Sequence, residues 1–367
     1  MTLEHLPSVG DRRIAIRVTA DALRQIRGGS PWLYDGSIVS VNHDGAPGDL
    51  AVVFDDRRKF AAIGLWDPTS PIRVKILHVG APATIDAAWW RARLAEALDR
   101  RSSLAADADT TAYRCVHGEN DGLPGLVVDR YDATLVVKIY SPAWFPHLRV
   151  VVDQLLALLG PERVVLRLSR AVAAGDTFGL SDGDTIVGSA PNQPVFFRER
   201  GLVFEADVVH GQKTGHFLDQ RDNRALVRGM ADSADVLDVF ASTGGFSVSA
   251  AAGGAASVHL IDQSEPALET ARRNLEHNHR FAEVRRCAVH TTTGDAFKIL
   301  ADLARKGEQF DLVILDPPTF ASNRAAVPRA LAAYARLTRL ALPLVRRGGT
   351  LVQASCSSRV GTDEFVG

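Results

Sequence analysis

The segment FDLVILDPPTF, residues 310–320, contains an unbroken apolar run that ends abruptly in an acid and two prolines. The run from Leu312 to Leu315 predicts a strand that is buried on both faces, as in a parallel sheet. Pro317 and Pro318 cannot donate to a sheet ladder and hold the following chain extended, so the strand must end near Asp316. Because ligands bind beyond the carboxyl ends of strands in open α/β sheets, we expect Asp316 at the rigid edge of a ligand cleft.

The sequence around this segment predicts more strands of the same sheet. From residue 235 onward, apolar strands alternate with helical stretches, which is typical of βαβ units and a parallel sheet covered by helices. The predicted strands are Asp235–Phe240, Ser257–Ile261, Glu283–Cys287, Phe310–Asp316 and Thr350–Ser355. The helix predicted over 265–278 has Ser264 as its N-cap and Pro266 in its first turn. The fold class of this region is therefore α/β.

The first half of the chain has a different rhythm. Residues 12–80 alternate short apolar runs with turn signals, which predicts a small β-barrel preceded by one helix near Asp21–Arg27. Residues 84–101 and Phe145–Leu159 are helical in pattern, with strands around the second helix. We expect a barrel over 1–80, a small α+β domain over 81–190 and the larger α/β domain over 191–367. The basic run Arg57–Lys59 falls on a turn, and both a solvated hairpin tip and an RNA contact remain open.

Composition excludes several classes of protein. Hydrophobic residues make up 46% and charged residues 23% of the chain, as in ordinary soluble domains. We find neither a signal peptide nor an apolar run of about 18 residues, so we expect a cytoplasmic protein with no membrane partner. Three cysteines without a CxxC pair argue against a disulfide framework or a metal site. The net charge of −1 gives no overall basic footprint for RNA, but it is compatible with a local basic stripe.

A glycine-bearing turn follows the first strand of the α/β region. The turn reads Ala241-Ser242-Thr243-Gly244-Gly245-Phe246. Paired glycines at a strand-to-helix turn let the backbone approach a ligand closely, so Thr243, Gly244 and Gly245 are candidate cofactor-binding residues. The adjacent glycines depart from the GxGxxG pattern of dinucleotide enzymes, which disfavours NAD.

Carboxylates lie at three successive predicted strand ends. Asp238 suits an amine-bearing ligand, and Asp262 can accept hydrogen bonds from the hydroxyls of an adenosine ribose. The alternative for each acid is a helix N-cap. Because Ser264 already supplies a cap, the ligand interpretation is favoured for Asp262. For Asp295, which can reach an adenine amine, capping of the helix over 296–306 and ligand binding remain equally open.

Cys356 follows the last predicted strand. A lone cysteine is more often an inert buried residue than a nucleophile. Its place beyond the carboxyl end of a strand next to the one that bears Asp316 favours the opposite interpretation, because both side chains would then face one cleft. We expect Cys115 and Cys287 to be structural.

Several segments together resemble bacterial large-subunit ribosomal RNA cytosine-5 methyltransferases that carry an N-terminal PUA domain. These segments are SPWLYDGSI (30–38), HGENDGLPGLVVD (117–129), GQKTGHFLDQRDNR (211–224), Phe240–Phe246, Asp316–Phe320 and Ser355–Ser357. The resemblance implies a PUA barrel, a small middle domain and a class I methyltransferase domain. It also implies S-adenosylmethionine as cofactor and large-subunit ribosomal RNA as partner, and it leaves a homodimer open.

The resemblance also implies roles for further residues. Gln220 and Arg224 lie in a segment that follows the cofactor cleft in such enzymes, and Asp316 and Pro317 border the cofactor. Pro318 and Phe320 belong to the substrate side of the motif. Such domains normally continue after the cysteine strand with a helix and a hairpin. Here the chain ends at Gly367, so we expect these last sheet strands to be missing and Thr350–Ser355 to form an edge.

The chemistry that the resemblance implies is covalent. Cys356 as a thiolate would add to C6 of cytosine while Asp316 hydrogen-bonds the N3/N4 edge of the ring. Two alternatives stay open. The motif Asp-Pro-Pro-Thr-Phe is also similar to that of 7-methylguanine ribosomal RNA methyltransferases, which need no cysteine, and a catalytically inactive RNA-binding relative would need neither residue. Cys356 favours attack on a pyrimidine.

Overall fold

We describe the fold from a computed structural model of the chain, which covers residues 3–321, 323–357 and 359–366. The chain forms two compact units. The first comprises Met1–Arg200 and Ala206–His216, and the second comprises Gly201–Glu205 and Phe217–Gly367. The predicted domain boundaries at residues 80 and 190 stay predictions.

The first unit begins with a six-stranded sheet in the order β2-β6-β5-β4-β1-β3. Its strands are β1 (Ile14–Val18), β2 (Trp32–Tyr34), β3 (Ile38–Val41), β4 (Leu50–Phe54), β5 (Phe60–Trp66) and β6 (Ile72–Val79). Helix α1 (Ala20–Arg27) is capped by Thr19 and buries Leu23 and Ile26 against this sheet. The helix was predicted at this place, but it follows β1 and does not precede the whole barrel. The basic run Arg57–Lys59 lies on the exposed turn between β4 and β5, as predicted.

The rest of the first unit holds a five-stranded sheet in the order β11-β10-β9-β8-β7. Its elements are α2 (Ala87–Asp99), α3 (Ser102–Ala105), β7 (Ala112–His117), β8 (Leu126–Tyr131), β9 (Thr134–Ile139), α4 (Phe145–Leu159), β10 (Arg163–Leu168), α5 (Arg170–Ala173) and β11 (Thr185–Val187). Strand β12 (Val195–Glu199) follows in the first unit, and the next strand along the chain, β13 (Leu202–Ala206), belongs mostly to the second unit. The predicted bounds of α4 are confirmed.

The second unit is built on a five-stranded parallel sheet in the order β16-β15-β14-β17-β18. Its elements are α6 (Arg221–Met230), β14 (Asp235–Val239), α7 (Gly245–Ala252), β15 (Ser257–Asp262), α8 (Glu265–Glu276), α9 (Ala282–Arg286), β16 (Ala288–Thr293), α10 (Ala296–Lys306), β17 (Phe310–Leu315), α11 (Val327–Ala341), β18 (Val345–Gln353) and α12 (Thr362–Val366). The predicted parallel sheet with alternating helices is therefore confirmed. The strand order reverses between β14 and β17, and ligands of open α/β sheets bind at such a point.

Local signals positioned most of these elements correctly. Ser264 accepts a hydrogen bond from the backbone N–H of Ala267 and caps α8, as predicted. Leu312 to Leu315 of β17 are all buried, and the strand lies between β14 and β18 in the sheet. The prolines after β17 then end its ladder.

The third strand of the sheet was predicted wrongly. Residues 282–286 form helix α9, and the strand is β16, which begins only at Ala288. The apolar criterion failed because β16 lies at a sheet edge and most of its side chains are exposed. Its threonines reflect the preference of β-branched residues for strands rather than burial.

The last strand differs from its predicted bounds as well. β18 begins at Val345 and ends at Gln353, whereas Thr350–Ser355 was predicted. A register irregularity between Phe310 and Leu312 of β17 accommodates the early start. In the described part of the chain, β18 has β17 as its one neighbour, so it forms the edge that we expected. None of the helices that the structure describes has the length and apolarity needed to cross a membrane.

Candidate active site

The carboxyl edge of the second unit's sheet brings three acids together. Asp238 lies in β14, Asp262 ends β15, and Asp316 directly follows β17. β14 lies between the other two strands, so the three carboxylates come from adjacent strands. Burial raises the pKa of Asp238 to about 7 against the hydrogen bonds from Ser247, and the charges of Asp316 and Asp262 act in the same direction as burial. The three acids thus share one electrostatic environment.

Asp238 lies beneath the glycine-bearing turn and is completely buried. Its Oδ2 accepts hydrogen bonds from the backbone N–H (3.1 Å) and the hydroxyl (2.7 Å) of Ser247, in the first turn of α7. Its Oδ1 is buried without a hydrogen-bond partner among the described residues. A buried carboxylate oxygen of this kind is costly unless a donor reaches it, so the site fits a ligand that brings an N–H group.

The turn above Asp238 has a constrained backbone. Phe240 (φ 66°) and Ser242 (φ 49°) both adopt left-handed conformations that non-glycine residues rarely take. Such strain persists where the surroundings determine the conformation, and it concentrates at functional sites. The surroundings here include Asn274 of α8, whose side-chain amide donates to the carbonyl of Thr243 at 2.9 Å.

The two glycines of the turn have distinct positions. Gly244 has φ 76°, and a Cβ atom there would lie 2.7 Å from the Cβ of Ala271 in α8. Its missing side chain therefore serves the close approach of α7 and α8. Gly245 is the first residue of α7, where the free backbone N–H groups of the helix begin. The sequence anticipated glycines at this turn but assigned both to ligand approach alone.

Asp262 and Asp295 accept hydrogen bonds from different parts of the backbone. Asp262 accepts hydrogen bonds from the backbone N–H groups of Ser242 and Ser264, one on each oxygen and each at 2.9 Å. Each oxygen retains a second lone pair for a ligand hydroxyl. Asp295 caps α10 by accepting from the backbone N–H of Lys298 at 3.0 Å. The capping interpretation of Asp295 is thus confirmed, and its contact with a cofactor stays a prediction.

Gln220 and Arg224 occupy different environments at the start of α6. Gln220 donates from its amide nitrogen to Oδ1 of Asp316 at 3.3 Å and accepts from the side-chain amide of Asn223 at 2.6 Å. Arg224 is buried, and its guanidinium donates to the carbonyl of Phe217 at 3.0 Å. The structure therefore places Gln220 in contact with Asp316, whereas Arg224 is a buried residue of α6.

Cys356 lies against the Asp-Pro-Pro segment. The backbone N–H of Ala354 donates to the carbonyl of Leu315 at 2.8 Å, which holds the two strand ends together. The Cys356 thiol then donates to the carbonyl of Pro317 at 3.4 Å and stays exposed. Pro317 is buried and Pro318 is exposed. The structure thus brings the two predicted catalytic residues, Asp316 and Cys356, to the same edge of the sheet.

Tyr334 of α11 belongs to this site, although sequence reasoning missed it. Its ring is buried, and its hydroxyl accepts a hydrogen bond from the Ser355 hydroxyl at 3.0 Å. Burial raises the pKa of Tyr334, and the charges of Cys356 and Asp316 act in the same direction. The Tyr334 ring also packs edge-on against Phe320, with 5.0 Å between ring centroids. Tyr334 is the single aromatic residue of α11, and this was the available signal in the sequence.

The other two cysteines are buried, as predicted. Burial raises the pKa of the Cys115 thiol to about 12 and that of the Cys287 thiol to about 11. Neither is therefore available as a thiolate near neutral pH. Of the three cysteines, Cys356 alone is exposed.

Comparisons with known proteins agree with this architecture. Residues 183–366 match the family described as S-adenosylmethionine-dependent methyltransferase, and residues 16–78 match a PUA-like domain. A ribosomal RNA large subunit methyltransferase of Deinococcus radiodurans is 47% identical to this chain, over 98% of the chain and 88% of that protein. Ribosomal RNA large subunit methyltransferase I of Escherichia coli is 33% identical, over 91% of the chain and 83% of that protein.

One solved structure has the same fold over nearly the whole chain. The crystal structure of SMU.776, a methyltransferase complexed with SAH, superposes with a TM-score of 0.81. It covers 96% of this chain and 88% of its own, at 21% sequence identity. At that identity the likeness supports the fold alone.

Proposed function

Because the chain belongs to the S-adenosylmethionine-dependent ribosomal RNA large subunit methyltransferases with a PUA-like domain, we propose that it methylates C5 of a cytosine in that RNA. The observation that carries the choice of cytosine C5 is the exposed Cys356 thiol, held against Pro317 beside Asp316. Methylation of a guanine nitrogen needs no thiol at this position. A ribosomal RNA substrate also favours the cytoplasmic location predicted from the sequence, and the homodimer stays a prediction.

The residues at the carboxyl edge fit S-adenosylmethionine. The unpartnered, buried Oδ1 of Asp238 matches a ligand amine, and Asp262 retains lone pairs for ribose hydroxyls. Thr243, Gly244 and Gly245 would border the cofactor from the turn, and Asp295 would lie toward the adenine. When bound, the cofactor supplies an electrophilic methyl group on a sulfonium, which is a cation that neighbouring carboxylates favour.

Cys356 activates the target ring. C5 of cytosine is a poor nucleophile, so the ring must first gain electron density. The Cys356 thiolate forms a bond to C6, and the electron pair of the C5–C6 double bond becomes available at C5. C5 would then take the methyl group that the bound cofactor supplies, and the sulfonium sulfur would keep the electron pair of the broken methyl–sulfur bond. The C5 proton leaves to a base, its electron pair restores the C5–C6 double bond, and the C6–sulfur bond breaks to release Cys356 as the thiolate.

Asp316 and its neighbours hold the ring edge. Asp316 hydrogen-bonds the N3/N4 edge, and its carboxyl proton passes to N3 as negative charge develops there when the thiolate adds. Gln220 fixes the carboxylate through its hydrogen bond to Oδ1. Tyr334 holds Ser355, the residue before the nucleophile, in place. Pro318 and Phe320 would border the base from the exposed side of the Asp-Pro-Pro segment.

The test uses the full chain, S-adenosylmethionine and large-subunit ribosomal RNA that lacks the modification. We expect 5-methylcytidine by nucleoside mass spectrometry and a loss of at least about 1000-fold in rate for Cys356→Ala. Cys287→Ala, which removes a buried thiol from the same unit, serves as the matched control and should retain activity. RNA that carries 5-fluorocytosine should trap a covalent adduct with the wild type alone, since fluorine cannot leave as the C5 proton does.

Other results would select the alternatives. Methylated guanine in place of 5-methylcytidine, with full activity of Cys356→Ala, would indicate the 7-methylguanine type of enzyme. RNA binding without any calorimetric S-adenosylmethionine binding would indicate a catalytically inactive RNA-binding relative.

A further inference from the structure

The segment that follows Asp316 has an extreme charge composition. Residues 317–362 contain seven arginines and no aspartate, glutamate or lysine. The whole chain is balanced, with 42 basic and 43 acidic residues. The bias therefore concentrates in the segment that carries Pro317, Pro318 and Cys356.

Helix α11 displays part of this charge on one face. Arg329, Arg336 and Arg339 fall within a sector of about 80° at 3.6 residues per turn. The opposite face packs into the unit through buried residues, namely Ala330, Tyr334, Leu337 and Ala341. Arg324, in the turn before the helix, and the three helix arginines are all exposed. We call these four arginines the basic face.

The basic face lacks compensating acids. Among the described residues, no carboxylate lies within ion-pair distance of Arg324, Arg329, Arg336 or Arg339. The Arg336 guanidinium stacks over the Phe297 ring at 4.9 Å, and Arg339 donates to the Ala335 carbonyl at 3.1 Å. Both interactions leave the positive charge uncompensated.

Some arginines on other surface helices of the chain are paired with acids on the same surface, whereas exposed Arg91 of α2 and Arg149 of α4 are single cations among the described residues. Arg272 of α8 contacts Glu265 at 3.2 Å, and Arg93 of α2 contacts Glu96 at 2.7 Å. In those pairs an acid on the same surface offsets the arginine charge. The basic face departs from that pattern, and its uncompensated charge matches a polyanion.

The basic face adjoins the candidate active site. α11 begins shortly after the Asp-Pro-Pro segment. The Arg336 guanidinium lies over the Phe297 ring, and the centroid of that ring is 6.5 Å from the centroid of the Phe320 ring, which ends the Asp-Pro-Pro-Thr-Phe motif. From Arg329 to Arg339 the helix rises about 15 Å. If the target base of an RNA strand reaches Cys356, the phosphates beside that base would lie next to these guanidinium groups, whose charge is opposite to theirs.

We propose that Arg324, Arg329, Arg336 and Arg339 bind the phosphates of the RNA strand that flanks the target base. The inference rests on the proposed function, since it assigns part of the RNA contact to the catalytic unit itself. Guanidinium groups suit this role because they bind phosphate bidentately. These residues position the RNA and take no part in the chemistry at C5 or C6.

The experiment compares wild type with the full-length variant Arg324→Gln/Arg329→Gln/Arg336→Gln/Arg339→Gln. RNA affinity is measured on protein-free ribosomal RNA at several salt concentrations. The slope of log K against log salt is negative, and each lost phosphate contact should make it shallower by about 0.7. The slope of the quadruple variant should therefore be shallower than that of the wild type by about 3. We also expect KM for RNA to rise at least about tenfold while the turnover number at saturating RNA changes little.

Arg347→Gln is the matched control. Arg347 is an exposed arginine of the same segment, but it lies in the first part of β18, at the amino edge of the sheet. Its affinity and salt slope should equal those of the wild type. Replacement of the four arginines by lysine should restore most of the salt slope, because the charge returns, but only part of the affinity.

The outcomes separate this inference from the proposed function. Unchanged salt slope and KM in a quadruple variant with normal S-adenosylmethionine binding would overturn the inference and leave the methylation assignment intact. The inference would also be overturned if the quadruple variant bound protein-free RNA as the wild type does and lost affinity only for a ribosomal protein. Failure of the wild type to form 5-methylcytidine would instead contradict the proposed function.

Discussion

The two edges of the second unit's sheet treat their acids in opposite ways. At the amino edge, Asp235 and Asp311 share the Arg346 guanidinium, at 3.2 and 2.5 Å. The backbone N–H of Asp235 also donates to Asp311, and the Ser257 hydroxyl donates to Asp235. The hydrogen bond from the Asp235 backbone and then the Arg346 charge lower the pKa of Asp311. These acids are satisfied within the protein.

At the carboxyl edge, the negative charges of neighbouring acids make ionisation of Asp238 less favourable. Asp238 is buried with one oxygen unpartnered, and Asp262 and Asp316 raise its pKa further. A carboxylate whose hydrogen bonds and ion pairs come from its own protein contributes to structure, whereas a buried carboxylate with an unpartnered oxygen, such as Asp238, indicates a ligand. The following experiments test whether this division between the edges holds.

The largest effect is expected from a matched pair of acid-to-amide changes, one at each edge. Asp316→Asn should reduce single-turnover methylation by about 100- to 1000-fold, because an amide cannot supply the proton that neutralises the negative charge developing at N3 of the attacked ring. Asp311→Asn removes one carboxylate of the same sheet at the amino edge and should leave the rate nearly unchanged. Equal losses in both variants would mean that the effect comes from destabilised folding and not from the site.

A smaller effect is expected on cofactor affinity as a function of pH. The pKa of Asp238 is raised to about 7, so its carboxyl is mostly protonated at pH 6 and mostly ionised at pH 8. Only the ionised form attracts the amine cation of S-adenosylmethionine. Calorimetry should show binding about tenfold tighter at pH 8 than at pH 6.

Asp238→Asn provides the control for that profile. The variant should bind S-adenosylmethionine more weakly at pH 8 and lose most of the pH dependence between pH 6 and 8. A wild-type affinity that is flat over this range would contradict the assignment of the unpartnered oxygen to the amine.

The smallest effect concerns the stability of the cofactor-free protein. The folded pKa of Asp238, about 7, exceeds its ordinary value of 3.8, so the folded state holds more protons between these pH values. Its contribution to the free energy of unfolding therefore falls as pH rises from about 4 to about 7 and then levels off. Asp311 has a lowered pKa, so its stabilising contribution is present above 3.8 and is lost as pH falls through the folded value.

Urea unfolding at pH 5 and pH 8 can measure this difference. Asp238→Asn should raise the free energy of unfolding more at pH 8 than at pH 5, because the amide cannot carry a buried charge. Asp311→Asn should lower it at both pH values, which lie above its titration range. The same sign of change in both variants at pH 8 would remove the contrast between the edges.

The sequence predicted the elements whose signals are local. Ser264 caps α8 because a hydroxyl beside a free helix N–H is a local interaction. Phe145–Leu159 was predicted with its final bounds because its two ends carry local signals. A proline lies in the first turn, and Gly160 follows the last residue. Cys356 and Asp316 were paired correctly because neighbouring parallel strands bring their carboxyl ends to one edge.

Errors arose where tertiary position overrides the local pattern. The strand β16 was displaced to Glu283–Cys287 because an exposed edge strand does not show an apolar run. Tyr334 and Asn274 were missed, since their partners Ser355 and Thr243 are 21 and 31 residues away along the chain.

Residue types and strand-end positions are local properties, so the amino-acid sequence alone limits the kinds of chemistry that this protein can carry. It supplied the acids, the glycine-bearing turn and the cysteine, in an order that predicts a parallel sheet. The folded structure was needed to show which acids have protein partners and which has an oxygen left for a ligand. Burial and pairing decide that difference, and they depend on residues such as Arg346 and Ser247 that the fold brings close from other elements.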